Sequence, residues 1–189
     1  MPILPPEPVV YPDHLFASPT PPRRWWVFQT RPRAEKAMAR LLMQSGIAYF
    51  LPLYTQIWWK NGRRFQSHPP LFPGYLFVQG GPPARAAAFA TRLTVREIPV
   101  KDQEKLDAEL VSVHHLLGGG ETLRPEDCLG HGTRVRIAAG TYAGVEGRVV
   151  GGETDATLRV CVEISLLGCG VSVPVERWML KPVELCSHA

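Results

Sequence analysis

Leu71-Phe72-Pro73-Gly74-Tyr75-Leu76-Phe77-Val78-Gln79 reads as a tight turn that runs straight into a short strand. Gly74 permits close backbone approach in the turn. In an extended strand successive side chains point to opposite sides, so Tyr75 and Phe77 share one face and Leu76 and Val78 share the other. Leu76 and Val78 are the better core candidates. Tyr75 and Phe77 then form an apolar face with a phenol at its edge, suited to receive a protein helix, unless they too are core.

Upstream, Trp25 to Thr30 (WWVFQT) is aromatic and β-branched on both sides, as a central strand covered on both faces requires. From Arg33 the period changes. Ala34, Ala37, Met38, Leu41 and Leu42 recur at helical spacing, Pro32 fits a first turn, and Gly46 ends the run. On the other side Arg33, Lys36 and Arg40 form one cationic stripe. Ala48 to Lys60 and Arg63 to Gln66 flank Asn61-Gly62, the strongest short-range hairpin signal, because both central residues of a type I′ turn need positive φ. Trp58, Trp59, Lys60, Arg63 and Arg64 crowd that tip. They fit contact with nucleic acid or an acidic protein surface, and they fit cross-strand bracing equally well.

Downstream, Pro82-Pro83 leads an alanine-rich helix over Ala84 to Arg92, and Thr94 to Val100 is a further strand. Asp102 is placed to N-cap a last helix carrying Leu106, Leu110, Val113 and Leu117, closed by Gly118-Gly119-Gly120. This order predicts an α+β fold whose first part is a ferredoxin-like αβ sandwich over residues 24–118. The first 23 residues hold eight prolines and no periodicity, and read as an extended tail outside the fold. Residues 119–128 read as a linker. Over 129–185 the pattern becomes period two: Val135 and Ile137, then Leu158, Val160, Val162 and Ile164, then Val171, Val173 and Val175, separated by glycine turns. So few residues bury a core only by curling into a small β-barrel.

The net charge of +4 is unevenly spread. Between Arg24 and Gln79 eight basic residues face Glu35 alone, so the rest of the chain is net acidic. One half is thus suited to a polyanion or an acidic surface. The four cysteines, all in the last third and without a C-x-x-C pair, read as small buried hydrophobes rather than metal ligands. No P-loop, nucleophile elbow or metal triad stands in the sequence, and the six histidines are dispersed apart from His114-His115, so no catalytic residue, metal or cofactor is expected. No run approaches the roughly 18 apolar residues of a membrane span, and a cytoplasmic location is expected.

Two stretches carry a family resemblance. Trp25-Trp26-Val27, Arg31 through Leu42 and Leu71 through Val78 resemble the N-terminal (NGN) domain of the NusG family of transcription factors. The phrase PPLFPGYLFV resembles its specialised, operon-restricted RfaH-like members. Val135-Arg136-Ile137 with Gly140 through Val149 resembles the family's KOW motif, and implies an SH3-like barrel. The resemblance spans roughly Arg24 to Val183.

It implies a monomeric, non-enzymatic elongation or antitermination factor. Its RNA polymerase-binding residues would be Trp25, Phe72, Pro73, Gly74, Tyr75 and Phe77, set against the clamp helices of the largest subunit. Arg31, Arg33, Lys36 and Arg40 would face upstream and non-template DNA, and Trp58, Trp59, Arg63 and Arg64 would read single strands. Tyr142, Val145 and Leu167 would form an apolar patch for a small-subunit ribosomal protein or Rho, although Val145 and Leu167 are smaller than the aromatics usual there, and the three, Val145 above all, also fit completion of the barrel core. A competing reading, a ribosome-associated RNA-binding protein using the KOW barrel, requires a basic barrel. Six cations against five acids over 129–183 do not supply one.

Overall fold

In the computed structural model the described residues are 7–17, 24–120, 123–126, 132–152, 154 and 156–183. The chain divides into two units, Met1–Asp107 and Ala108–Ala189, and the division falls inside the helix that was assigned to the first domain.

In the first unit the elements are β1 (Val10–Tyr11), β2 (Trp25–Thr30), α1 (Glu35–Gln44), β3 (Tyr49–Phe50), β4 (Gln56–Lys60), β5 (Arg63–Ser67), β6 (Tyr75–Gln79), α2 (Pro82–Ala90), β7 (Thr94–Ile98) and the start of α3 (Gln103–Gly118). The main sheet has the order β1-β3-β6-β2-β7, with every pair antiparallel. Without β1 this is the ferredoxin-like order that the sequence predicts, with β2 interior. One face packs on α1 and α2: Phe28, Tyr49, Leu51, Leu76 and Val78 meet Met38, Ala39, Leu42, Ala84 and Ala88. Asp102 caps α3 as expected, its Oδ1 accepting the Lys105 N–H at 2.9 Å.

Three expectations change. Helix α1 begins at Glu35, and Arg33 has a φ of 60°, so Arg33 belongs to the preceding turn and only Lys36 and Arg40 share a helical stripe. The apolar face rotates accordingly, leaving Leu41 exposed and burying Glu35. The proline-rich segment is not wholly outside the fold. β1 pairs with β3, Val10 opposite Phe50 and Tyr11 opposite Tyr49. Val9-Val10-Tyr11 is a proline-free β-prone interval, and an edge strand tolerates prolines on either side of it.

The second unit carries the rest of α3, then β8 (Arg124–Glu126), β9 (Arg134–Ile137), β10 (Glu146–Gly152), β11 (Thr157–Ile164), β12 (Cys169–Glu176), a 3-10 turn at Arg177–Met179 and β13 (Leu180–Pro182). Its antiparallel sheet has the order β13-β9-β10-β11-β12-β8 around Val135, Ile137, Val160, Val162, Ile164, Val171, Val173 and Val175. Part of the expected linker is therefore a strand. β8 pairs with β12, and Glu126 accepts the Ser172 hydroxyl at 2.7 Å while Ser172 takes the buried Arg159 guanidinium at 2.8 Å. Period-two alternation along β11 turns Arg159 outward, yet it is buried; Cys161 is buried, as a small hydrophobe would be, but is disulfide-bonded. Strands crowd closely at Gly147, where a Cβ would stand 2.5 Å from the Cys161 carbonyl oxygen, and more closely still at Gly132, where it would stand 1.9 Å from the Val149 carbonyl oxygen.

Tyr49 links the first sheet to the N-terminal segment. Its hydroxyl donates to the Pro8 carbonyl at 3.2 Å, and its ring stacks on Tyr11 at 6.1 Å. Burial, and then the Glu7 carboxylate and Tyr11, push its pKa from 10.0 up to about 12. The native chain thus holds this proton after the unfolded chain has released it. The stability Tyr49 contributes is complete below pH 10 and is lost as pH rises through about 12. Chemical denaturation of Tyr49→Phe should show a loss of about 1 kcal/mol below pH 10 from the missing hydrogen bond, and a smaller further loss than wild type on going to pH 12. Parallel pH profiles for the two proteins would contradict this.

Candidate docking and nucleic-acid surfaces

The turn before β6 is fastened from several sides. Leu71 N–H donates to Pro52 O at 2.8 Å, and Tyr75 N–H closes the turn on Phe72 O at 3.1 Å. Gly74 has a φ of +83°, a conformation open to glycine. Its carbonyl accepts Thr30 N–H at 2.8 Å, and its N–H donates to Glu35 Oε1 at 2.6 Å. Glu35 is 5% exposed, so this carboxylate is spent on holding the turn to the start of α1. Pro73 is left exposed and Tyr75 half-buried at the head of β6.

Behind them stands an aromatic ledge on the sheet face away from α1 and α2. Phe77 packs edge-on against Phe72 at 5.9 Å and tilted against Phe50 at 6.2 Å. Trp25 lies on the same face, its indole N–H donating to Asp107 Oδ1 at 2.7 Å and its backbone bonded to the Gln103 amide. The family resemblance sets Trp25, Phe72 and Phe77 among the polymerase-binding residues, while the strand reading has Trp25 covered on both faces. All three are at most 1% exposed, because Gln103 and Asp107 of α3 and Phe16 of the N-terminal segment lie over that side. Only Pro73, Gly74 and Tyr75 of the expected docking set reach solvent.

The expected nucleic-acid residues fall into two groups. Arg31 and Arg33 are exposed in the turn before α1, and Lys36 and Arg40 follow on the helix. Arg40 Nε lies 2.9 Å and Lys36 Nζ 3.9 Å from the Glu7 carboxylate. The second group is the β4–β5 ribbon, with Asn61 at φ 50° and Gly62 at φ 72° in its turn, as Asn-Gly predicts. Trp58 and Phe65, cross-strand partners, stack at 5.7 Å. With Lys60, Asn61 and Arg63 they line an open cleft of about 580 Å³. By register Ile57, Trp59 and Arg64 lie on the opposite face, and Trp59 is 70% exposed. So Trp58 braces the ribbon while Trp59 stays free of that stack.

In the second unit the expected apolar patch is not a surface. Tyr142 and Val145 are each 5% exposed, and only Leu167 is partly open. The Tyr142 ring meets His115 of α3 at 6.2 Å and lies against Gly119. A period-two reading of the strands carries no information about helix residues that return onto them.

Sequence reasoning missed Glu35, Phe50, Phe65, Glu7 and Phe16. A signal for Glu35 existed, since it is the one acid in a cationic stretch at a helix N-terminus, where a carboxylate is favoured. Among the described residues no cluster of His, Cys, Asp or Glu is arranged to hold a metal ion, and no helix is long and apolar enough to cross a membrane.

The family model described as "Transcription termination factor nusG" matches residues 23–120, just over half of the chain. No curated protein sequence matches significantly. Among solved structures, the chain is similar to Thermotoga maritima NusG, from a structure of its domain interaction. That match is 19% identical, covers 86% of this chain and 98% of that one, and has a TM-score of 0.47. Further similarity is to a chain of the MjSpt4:Spt5 complex in conformation A, 15% identical over 85% and 99% of the two chains at a TM-score of 0.27. Conformation B gives 14%, 86%, 98% and 0.27.

The Glu35 to Gly74 bond sets the turn, so Glu35→Ala should lower unfolding stability by about 1 to 3 kcal/mol, the cost of an orphaned N–H that had a charged acceptor. Glu35→Gln, which keeps a carbonyl oxygen there, should recover most of it. Equal denaturation midpoints for Glu35→Ala and wild type would show that the bond contributes nothing.

Proposed function

The chain belongs to the NusG family of non-enzymatic transcription factors, and we propose that it rides on RNA polymerase through the first unit and recruits a further partner through the second. The observation that carries this reading is the turn Phe72-Pro73-Gly74-Tyr75, fixed by Glu35 and Thr30 so that Pro73 and Tyr75 stand at the rim of an aromatic ledge. A pre-set aromatic rim suits a helical partner, because binding energy concentrates in a few such anchors and little ordering cost remains. In this reading the clamp helices of the polymerase's largest subunit are the partner. Preferential affinity for a closed clamp disfavours pausing as a population shift, with no bond made or broken.

Arg31 and Arg33 of the turn, with the ribbon's Lys60, Arg63 and Arg64, serve upstream and non-template DNA. Cations on phosphates give salt-sensitive affinity without sequence information, and Trp58, Phe65 and Trp59 offer ring faces for bases. The second unit takes the recruiting role, for a small-subunit ribosomal protein or Rho. Leu167 supports it, whereas Tyr142 and Val145 are covered in this arrangement.

Pull-down with core RNA polymerase tests the docking claim. Tyr75→Ala should weaken binding by about tenfold, the 1.4 kcal/mol of a modest anchor. Undiminished binding would remove the rim from the interface. In the same series Arg63→Ala with Arg64→Ala should reduce the slope of log affinity against log salt by about 1.4 on single-stranded DNA. An unchanged slope would take the ribbon out of nucleic-acid contact.

A further inference from the structure

Residues 7–17 touch the Lys36 and Arg40 stripe, which the family resemblance sets toward DNA, and the aromatic ledge behind the proposed polymerase-docking rim. On the helix side of the sheet the Glu7 carboxylate sits at Arg40 Nε and Lys36 Nζ. That carboxylate is 7% exposed, while the two cations remain 44% and 34% exposed, so it lies inward of side chains still open to solvent. The chain then follows the β3 edge, where Leu51 N–H donates to Val9 O at 2.7 Å. A turn closed by Leu15 N–H on Pro12 O at 2.8 Å carries it on. On the other face Phe16 stacks on Trp25 at 5.9 Å and meets Phe50 edge-on at 5.0 Å. Phe16 is partly exposed, whereas the Trp25 and Phe50 rings it packs on are fully buried.

We infer that residues 7–17 are an internal stand-in for the partners of this unit, Glu7 taking the place of a nucleic-acid phosphate on Lys36 and Arg40 and Phe16 that of an apolar polymerase side chain on the ledge. This rests on the proposed docking of the first unit. The chemistry matches on each side: a carboxylate and a phosphate oxygen accept the same charge-assisted bonds from Arg and Lys, and a phenyl ring covers an aromatic ledge as a partner's anchor would. The attachment consists of few bonds: a strand of two residues, the Tyr49 hydroxyl on Pro8 O, two ion pairs whose cations stay partly exposed, and the ring contacts of Tyr11 and Phe16. Because one segment spans both surfaces, they are coupled. A phosphate that displaces Glu7 loosens Phe16, and a polymerase helix that displaces Phe16 loosens Glu7, by the same factor in each direction. Polymerase affinity is reduced by the fraction of chains in which the segment is seated.

Glu7→Gln in the full chain tests this while leaving the aromatic packing alone. It should bind core RNA polymerase at least fivefold more tightly than wild type. Its affinity for a short DNA duplex should depend more steeply on salt, by about 1.8 in the log–log slope for two freed cations. Adding Lys36→Ala and Arg40→Ala should cancel the slope change. Phe16→Ala should raise polymerase affinity likewise, and if it fails to melt cooperatively, Glu7→Gln alone decides. Unchanged polymerase affinity together with an unchanged DNA slope overturns the stand-in and leaves docking intact. If no variant binds polymerase but the slope steepens, docking falls and the Glu7 contact stands.

Discussion

Strands β2 and β6 carry apolar side chains on both faces, and water has to be kept from both. Val27, Phe28, Leu76, Phe77 and Val78 are all fully buried. Covering one face is the ordinary task of α1 and α2, whose Met38, Leu42, Ala84 and Ala88 meet Phe28, Leu76 and Val78. The other face falls to smaller pieces, the first turns of α3 at Trp25 and the single ring of Phe16 at Trp25 and Phe50. At about 25 cal/mol per Å² a bared aromatic face of this kind is costly, and a short segment is sufficient to seat on it. The same property that demands a cover makes the face attractive to a partner.

Much of the first unit was legible because each element has a local signal. Asn61-Gly62 predicts its turn from φ requirements alone, Asp102 its cap, and WWVFQT its interior place in the sheet. The core alternation of the second unit was legible for the same reason. What failed did so where the deciding contact is distant in sequence. Parity along β6 separates Tyr75 and Phe77 from Leu76 and Val78, but nothing in that stretch says that the Phe77 side is also roofed. Tyr142 and Val145 have a surface-like motif context and are nonetheless buried, with His115 against the Tyr142 ring. Arg159 looked outward by alternation, and is instead enclosed with Ser172 beside Glu126 of a strand that composition had presented as linker.

Charge follows the same division between local and distant. The cationic bias of residues 24–79 is plain from composition, yet its one acid, Glu35, turns inward to fix Gly74, and an acid outside it, Glu7, answers Lys36 and Arg40. The basic groups that remain for a polyanion are thereby concentrated in the turn before α1 and at the tip of the β4–β5 ribbon. Those are also the places where backbone geometry is set by single residues, Arg33, Asn61 and Gly62 at positive φ. The candidate surfaces are thus held by few, identifiable bonds.

Amide hydrogen exchange of the full chain, alone and bound to core RNA polymerase, tests the central claim most directly. The account predicts slower exchange across Leu71 to Gln79 on binding, with faster exchange over residues 7–17 as they leave the β3 edge. Exchange unchanged throughout the first unit, with slowing confined to residues 132–183, would contradict it.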